Sequence, residues 1–233
     1  MNAHLARLAA FALLAASSAA SAAVPGAFTA RYRVSQDGQP MGVATVTLRP
    51  VANGQWQLGK TSAGTGGLAA LLGASTQETS TFRWRGERPE AVSYDYRSRI
   101  AGKKKQRTLR VEWASREVSV DEGRGASRYA AQPGMVERNT LPLALGLALA
   151  DGDTAVSLPV AVRQKVETES FKVTGKETVR VPAGRFAAER VERSGDAQGF
   201  SAWYVPGRYP MPVKLAQRDG GDLTLELVDY SQP

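Results

Sequence analysis

The residue types able to do chemistry in this chain are few. Cys is absent and the only His is His4, which falls in a segment read below as a cleaved leader. Without imidazole or thiol there is no Ser-His-Asp or Cys-His nucleophile, no His proton shuttle, and no zinc, haem or iron–sulfur site built on those ligands. Disulfides are excluded as well. Chemistry would fall to carboxylates, Lys, Tyr or a Ser-Lys pair, and neither Ser-x-x-Lys nor Gly-x-Ser-x-Gly occurs. Carboxylate catalysis of the glycosidase kind needs two acids facing each other across a cleft. Glu78, Asp95, Glu112, Asp196 and Asp222 are available for it, but nothing in their spacing makes any two converge. Asp151-Gly-Asp153 is too short for a calcium loop and reads as a helix-ending turn.

Two glycine patterns imitate nucleotide sites. Gly54-Gln-Trp-Gln-Leu-Gly59-Lys60-Thr61 fits the phosphate-loop spacing. That loop works by wrapping backbone amides around phosphates ahead of a helix. Here Trp56 and Leu58 alternate as in a strand, and Gly-rich coil follows Thr61. Gly64-Thr-Gly66-Gly-Leu-Ala69 meets a loose dinucleotide fingerprint, but its apolar run stops after a few residues and no βαβ unit surrounds it. No cofactor and no metal site is expected.

The basic run is the stronger signal. Arg97, Arg99, Lys103, Lys104, Lys105, Arg107 and Arg110 cluster around Gly102. On a hairpin they would make one cationic tip about 25 to 30 Å long at roughly 3.4 Å per residue. Lys103, Lys104, Lys105 and Arg107 are the candidates for contact with an anionic envelope surface. A solvated hairpin whose Lys residues discourage edge pairing is the plainer reading. Nucleic acid is not expected, because no aromatic residues interleave the run. The second candidate site is apolar. It is made of Leu68, Leu71, Leu72, Leu143 and Leu147, with Trp203 from the Trp-Tyr strand. These residues either fill a core or form a lid over an apolar cavity.

The elements that must position these residues are mostly strands. Phe28–Val34, Gly42–Leu48 and Trp56–Leu58 are separated by Asp37-Gly38 and Asn53-Gly54, dipeptides that tolerate positive φ in hairpins. Strand character returns at Thr79–Arg85, Ala91–Ile100, Gln106–Trp113, Glu117–Val120 and Thr154–Val166. In the last third, Phe171, Val173, Val179, Val181, Leu223, Leu225 and Leu227 alternate with polar residues. Leu143–Leu149 admits two readings. Period two would make a strand with its Leu on one face, whereas an Asn or Thr cap, Pro142 and a closing Gly152 favour a helix. The expectation is ten or eleven strands and one short helix in an all-β, mainly antiparallel fold, a curved sheet or half-open β-barrel.

The ends set the compartment. Residues 1–22 read as a signal peptide, with Arg7, an apolar run from Leu8 to Ala16 and the small residues Ala20-Ser21-Ala22. About nine apolar residues are too few for a membrane helix of about 20. No Cys follows for lipidation, and no transmembrane run occurs after residue 22. The expected mature chain, residues 23–233, suits one domain. The formal net charge of +8 drops to +7 when Arg7 leaves. An exported protein so charged is expected in the periplasm, near anionic envelope surfaces.

The last third also carries a resemblance. Gly175-Lys-Glu-Thr-Val-Arg-Val-Pro182-Ala183-Gly184-Arg-Phe186, Trp203-Tyr204, Pro210-Met-Pro212-Val213 and Leu223–Leu227 resemble an exported bacterial family catalogued as domain of unknown function 3108, and Tyr32 and Gly42 match its first hairpin. The resemblance implies an all-β, barrel-like envelope protein. By analogy of fold it is similar to periplasmic lipoprotein carriers, whose open barrels hold acyl chains. The leading expectation is therefore a non-enzymatic carrier for a lipid-like ligand, with lipid or lipoprotein acyl chains as partners. An envelope interaction module with a filled core, or a carboxylate-dependent enzyme on a cell-wall or glycan substrate, are the alternatives.

Overall fold

The computed structural model describes residues 24–123, 125–195, 199–218 and 222–233. The leader expected over residues 1–22, and Asp196, lie outside them. In chain order the elements are β1 (Phe28–Gln36), β2 (Gln39–Pro50), β3 (Trp56–Gly64), α1 (Gly67–Leu71), β4 (Ser75–Arg85), β5 (Arg88–Ile100), β6 (Lys103–Glu112), β7 (Glu117–Asp121) and β8 (Ala126–Ala130). Then come β9 (Val136–Glu137), α2 (Leu141–Ala150), β10 (Ala155–Ala161), β11 (Val166–Val181), β12 (Gly184–Arg193), β13 (Phe200–Tyr204), β14 (Lys214–Gln217) and β15 (Leu223–Ser231). All fifteen strands form one mixed sheet in the order β8-β7-β6-β5-β4-β3-β2-β1-β15-β14-β13-β12-β11-β10-β9. Among the described residues only the β9–β10 pair is parallel.

The turns follow the chemistry of their residues. Asp37 and Gly38, and Ala101 and Gly102, have positive φ at the tips of two-residue hairpins. The phosphate-loop lookalike lies mostly in strand β3, and the dinucleotide lookalike runs into α1. Strand character over Thr154–Val166 belongs to β10 and to the start of β11. The chain turns between β10 and β11, with Val162 N–H bonded to Lys165 C=O at 3.0 Å.

The sheet rolls up without closing. Its two arms meet where Ala91 N–H donates to Met135 C=O at 2.9 Å. Beyond that point the inward residues Tyr94, Leu109, Val118 and Val120 pack over Met135 and Ala161. The seam is tied by Tyr129, whose hydroxyl donates to Val162 C=O. Glu122 adds a second tie, bridging Arg107 and Arg163.

The segment with two sequence readings is a helix. In α2 eight of ten residues are buried, with Leu143 and Leu145 fully so. A helix apolar all round is stable only when surrounded, and α2 is surrounded by the rolled sheet. One side packs with Phe28, Leu48, Leu58 and Phe82, the other with Phe171, Val191 and Tyr204. Gly146 permits the closest approach, because a Cβ there would stand 2.1 Å from Pro210 O. The Tyr204 hydroxyl donates to Pro142 C=O at 3.0 Å and fixes the first turn.

Candidate functional site

The hairpin ends of the rolled sheet fall at two levels, and one level is open. There the β1–β2, β5–β6, β7–β8 and β10–β11 turns meet, α1 lies beside them, and α2 points its N-terminus towards them from within. An inner chamber of about 500 Å³ opens here, floored by Asn139, Leu141 and Pro142. Its apolar wall includes Phe171, Phe200, Leu215, Leu223 and Leu225. An outer vestibule of about 1170 Å³ adjoins it and shares Ser62, Thr76 and Tyr96.

The chamber has a charged side held in ion pairs. Lys60 Nζ lies 2.5 Å from Glu78 Oε1, and the Tyr94 hydroxyl donates to Glu78 Oε2 at 2.8 Å. Burial and the Glu78 charge push the Tyr94 phenol well above its ordinary range. Across the sheet, buried Glu169 pairs with Arg138 at 2.7 Å and with Arg193 at 3.3 Å. These positions follow from the pleat. Glu78 shares its face with Ser80 and Phe82, and Glu169 shares its face with Phe171.

Below the floor, Glu137 fastens the helix. Its carboxylate accepts from Asn139 N–H at 2.7 Å, from Thr140 N–H at 3.1 Å and from the Thr140 hydroxyl at 2.7 Å. An acid at a helix N-terminus complements the dipole and its unpaired amides. Burial nonetheless raises the Glu137 pKa, against the opposing bonds from Ser80, Thr140 and Asn139. Asn139 ties the same turn to the sheet, donating to Leu58 C=O at 3.1 Å and Ser80 Oγ at 2.9 Å.

The vestibule is cationic. Lys105, Arg107 and Arg163 line it, Arg97, Arg99 and Lys104 stand at its rim, and Glu122 is the acid among its lining residues. The basic run is not gathered on one side. Lys105 and Arg107 share the face of buried Leu109, whereas Lys104 points the other way. Arg107 is held by Glu122 at 2.5 Å, and Arg110 by Asp95 at 2.8 Å.

The apolar candidates do not converge. Leu143 and Leu147 are core residues and touch neither cavity. Leu68 and Leu71 are exposed on α1 at the tip of the sheet, and Leu72 beside them is half-buried, so these three are no lid over the chamber. Trp203 lies between Arg190 and Lys214 and donates to Glu177, away from the chamber lining. Of the acids weighed in the sequence, only Glu78 lines the chamber among the described residues. Glu169, Arg138 and Arg193 were missed. For Glu169 the signal was its parity with Phe171.

None of the curated proteins matches the chain. Among solved structures, the chain is similar to a beta-barrel-like protein of domain of unknown function DUF1849 from Brucella abortus. The TM-score is 0.50 at 10% identity, over 90% of this chain and 99% of that one, a likeness of fold alone. Neither that neighbour nor the family match indicates an enzyme family. The family match runs over residues 31–228, from β1 into β15, and so takes in the chamber, the vestibule and α2. With that span the chain belongs to the family described as "Protein of unknown function (DUF3108)".

Proposed function

We propose that this is an exported, non-enzymatic periplasmic binding protein that carries an anionic, lipid-like amphiphile. The supporting observation is the adjoining pair of cavities. The inner chamber of about 500 Å³ is mainly apolar on one side, and the outer vestibule carries six cations against Glu122. Small-molecule sites are typically about 300–1,000 Å³, with apolar walls and a few placed polar groups. An acyl chain lies against Phe200, Leu215, Leu223 and Leu225, and its acidic head faces Lys105 and Arg163. The hydrophobic effect supplies affinity and the cations supply orientation.

The enzyme reading is less favoured. Glu78 and Glu169 both line the chamber, but Glu78 has both oxygens occupied, by Lys60 and by Tyr94, whereas Glu169 lies beside the Arg138 and Arg193 charges with neither oxygen in a hydrogen bond. A carboxylate pair needs both acids free to act across the cleft, and Glu78 is not.

The test is native mass spectrometry of protein purified from the periplasm without detergent, with lipid extraction and added palmitate or lysophosphatidylglycerol. A co-purifying or added amphiphile should be retained by the parent chain and lost on Leu215→Arg or Phe200→Arg. An apo mass with no uptake of either probe overturns the proposal. Leu143→Asp would not serve, because Leu143 lies in the core.

A further inference from the structure

The exposed end of the molecule beside the vestibule has a composition that neither the core nor the chamber explains. Helix α1 buries only Ala69. A Cβ on Gly64 would lie 2.7 Å from the Ala69 backbone, so Gly64 is the flat seat on which α1 rests. The helix's larger side chains point to solvent, Leu68 at 63% and Leu71 at 82% of full exposure. The β5–β6 turn is held against this helix by Ala101 N–H donating to Leu72 C=O at 2.8 Å, and that turn adds Ile100 at 50% exposure. Three large aliphatic side chains thus stand at one tip.

The charge around them is of one sign. No acid occurs between Thr61 and Gln77, or between Tyr96 and Arg107. Arg97, Arg99, Lys103, Lys104 and Lys105 are exposed, and none makes an ion pair among the described residues. Lys103 is in register with Ile100, and Lys104 with Arg99. Elsewhere on the sheet, exposed cations such as Arg31, Arg33 and Lys176 have carboxylate partners. The tip is the place where exposed Leu and Ile meet a collar of unpaired cations.

We infer that this tip, Leu68, Leu71 and Ile100 ringed by Lys103, Lys104 and Lys105, docks the protein on an anionic phospholipid surface. Aliphatic side chains enter the boundary between headgroups and acyl chains, while lysines meet the phosphates. Neither set is enough alone. Three side chains bury too little area for stable anchoring, and a polybasic collar without a wedge is lost to salt. The vestibule opens at this same end, so docking would turn it towards the bilayer. The inference does not depend on the chamber holding a ligand.

The test is co-sedimentation of the full chain with vesicles of phosphatidylethanolamine, with and without phosphatidylglycerol. Binding should require phosphatidylglycerol and fall with salt. Lys103→Gln and Lys104→Gln should each weaken it roughly fivefold, and Leu71→Glu roughly tenfold. All three positions are exposed, so thermal unfolding should not move. Uptake of palmitate by Lys103→Gln and Leu71→Glu, which line neither cavity, should be unchanged, which separates failure of docking from failure of the carrier reading. Equal binding to neutral vesicles, or no binding to either kind, overturns the inference. So does self-association through Leu68 and Leu71 without vesicle binding, which would assign the tip to a second copy of the chain.

Discussion

Helices α1 and α2 are nearly alike in composition, and the fold treats them in opposite ways. Gly67-Leu-Ala-Ala-Leu71 and Leu141-Pro-Leu-Ala-Leu-Gly-Leu-Ala-Leu-Ala150 are both Leu and Ala with no charged face. The second is enclosed by the rolled sheet and by the segment between β13 and β14, while the first keeps Leu68 and Leu71 in water. Burial is therefore set by position in the roll of the sheet, not by hydropathy. Helix α2 follows β9, an edge strand tucked inside the roll, and has nowhere to go but the interior. Helix α1 bridges two strands at the rim, where no layer lies above it. The contrast separates stability, which resides in α2, from surface chemistry, which resides in α1.

The sharpest way to break that contrast is to place the same charge on each helix. Leu143→Asp puts a carboxylate in a fully buried site with no partner and removes packing. It should cost more than about 4 kcal/mol and leave the chain largely unfolded. Leu71→Asp should change stability by no more than about 0.5 kcal/mol. Urea denaturation of the two variants would show the asymmetry. Comparable losses would mean that α1 is a structural element after all.

A smaller effect is expected where α2 meets the Tyr204–Pro210 segment. An added methyl at Gly146 meets the Pro210 carbonyl, which is backbone and cannot rotate away. Gly146→Ala should therefore cost about 3 kcal/mol, although Ala is otherwise the better helix former. An unchanged urea midpoint would show that the helix has room to shift, and that the plug is looser than its contacts imply.

Much of this division was legible in the residues. Alternation identified the strands around Phe28, Phe82 and Leu227, and Asp37-Gly38 and Asn53-Gly54 fall at turns with positive φ. Strand number came out low because β8, β9 and β14 are short, from two to five residues, and carry little periodicity of their own. The plug was half legible. Caps and composition favoured a helix at Leu143, but a core helix and a lid have the same composition, and only the path of the sheet distinguishes them. The chamber's ion pairs were hidden for another reason. Glu169 meets Arg138 across 31 positions of sequence, and no local spacing encodes that meeting. The basic run was visible as a cluster, whereas its division by the pleat required the register with Leu109.

The smallest effect belongs to one tie of the seam, the Glu122 bridge, which is held by charge where α2 is held by packing. Glu122 receives hydrogen bonds from Arg163 and from Arg107. Those guanidinium groups, Arg163 first, outweigh burial and hold its carboxyl below the usual carboxylate range. The sign follows from linkage. A pKa lower in the folded than in the unfolded chain gives stability that is fully present above the unfolded value, near about 4.3. That stability fades as pH falls through the lower folded value. Glu122→Gln should therefore unfold earlier than the parent at neutral pH by no more than about 1 kcal/mol, since its partners are partly solvated. The two chains should converge in acid, and high salt should narrow the gap at neutral pH. Melting curves across pH would check this. A gap that persists in acid would mean that the Glu122 side chain acts through packing, and the contrast between a charge-held tie and an apolar plug would fail at that point.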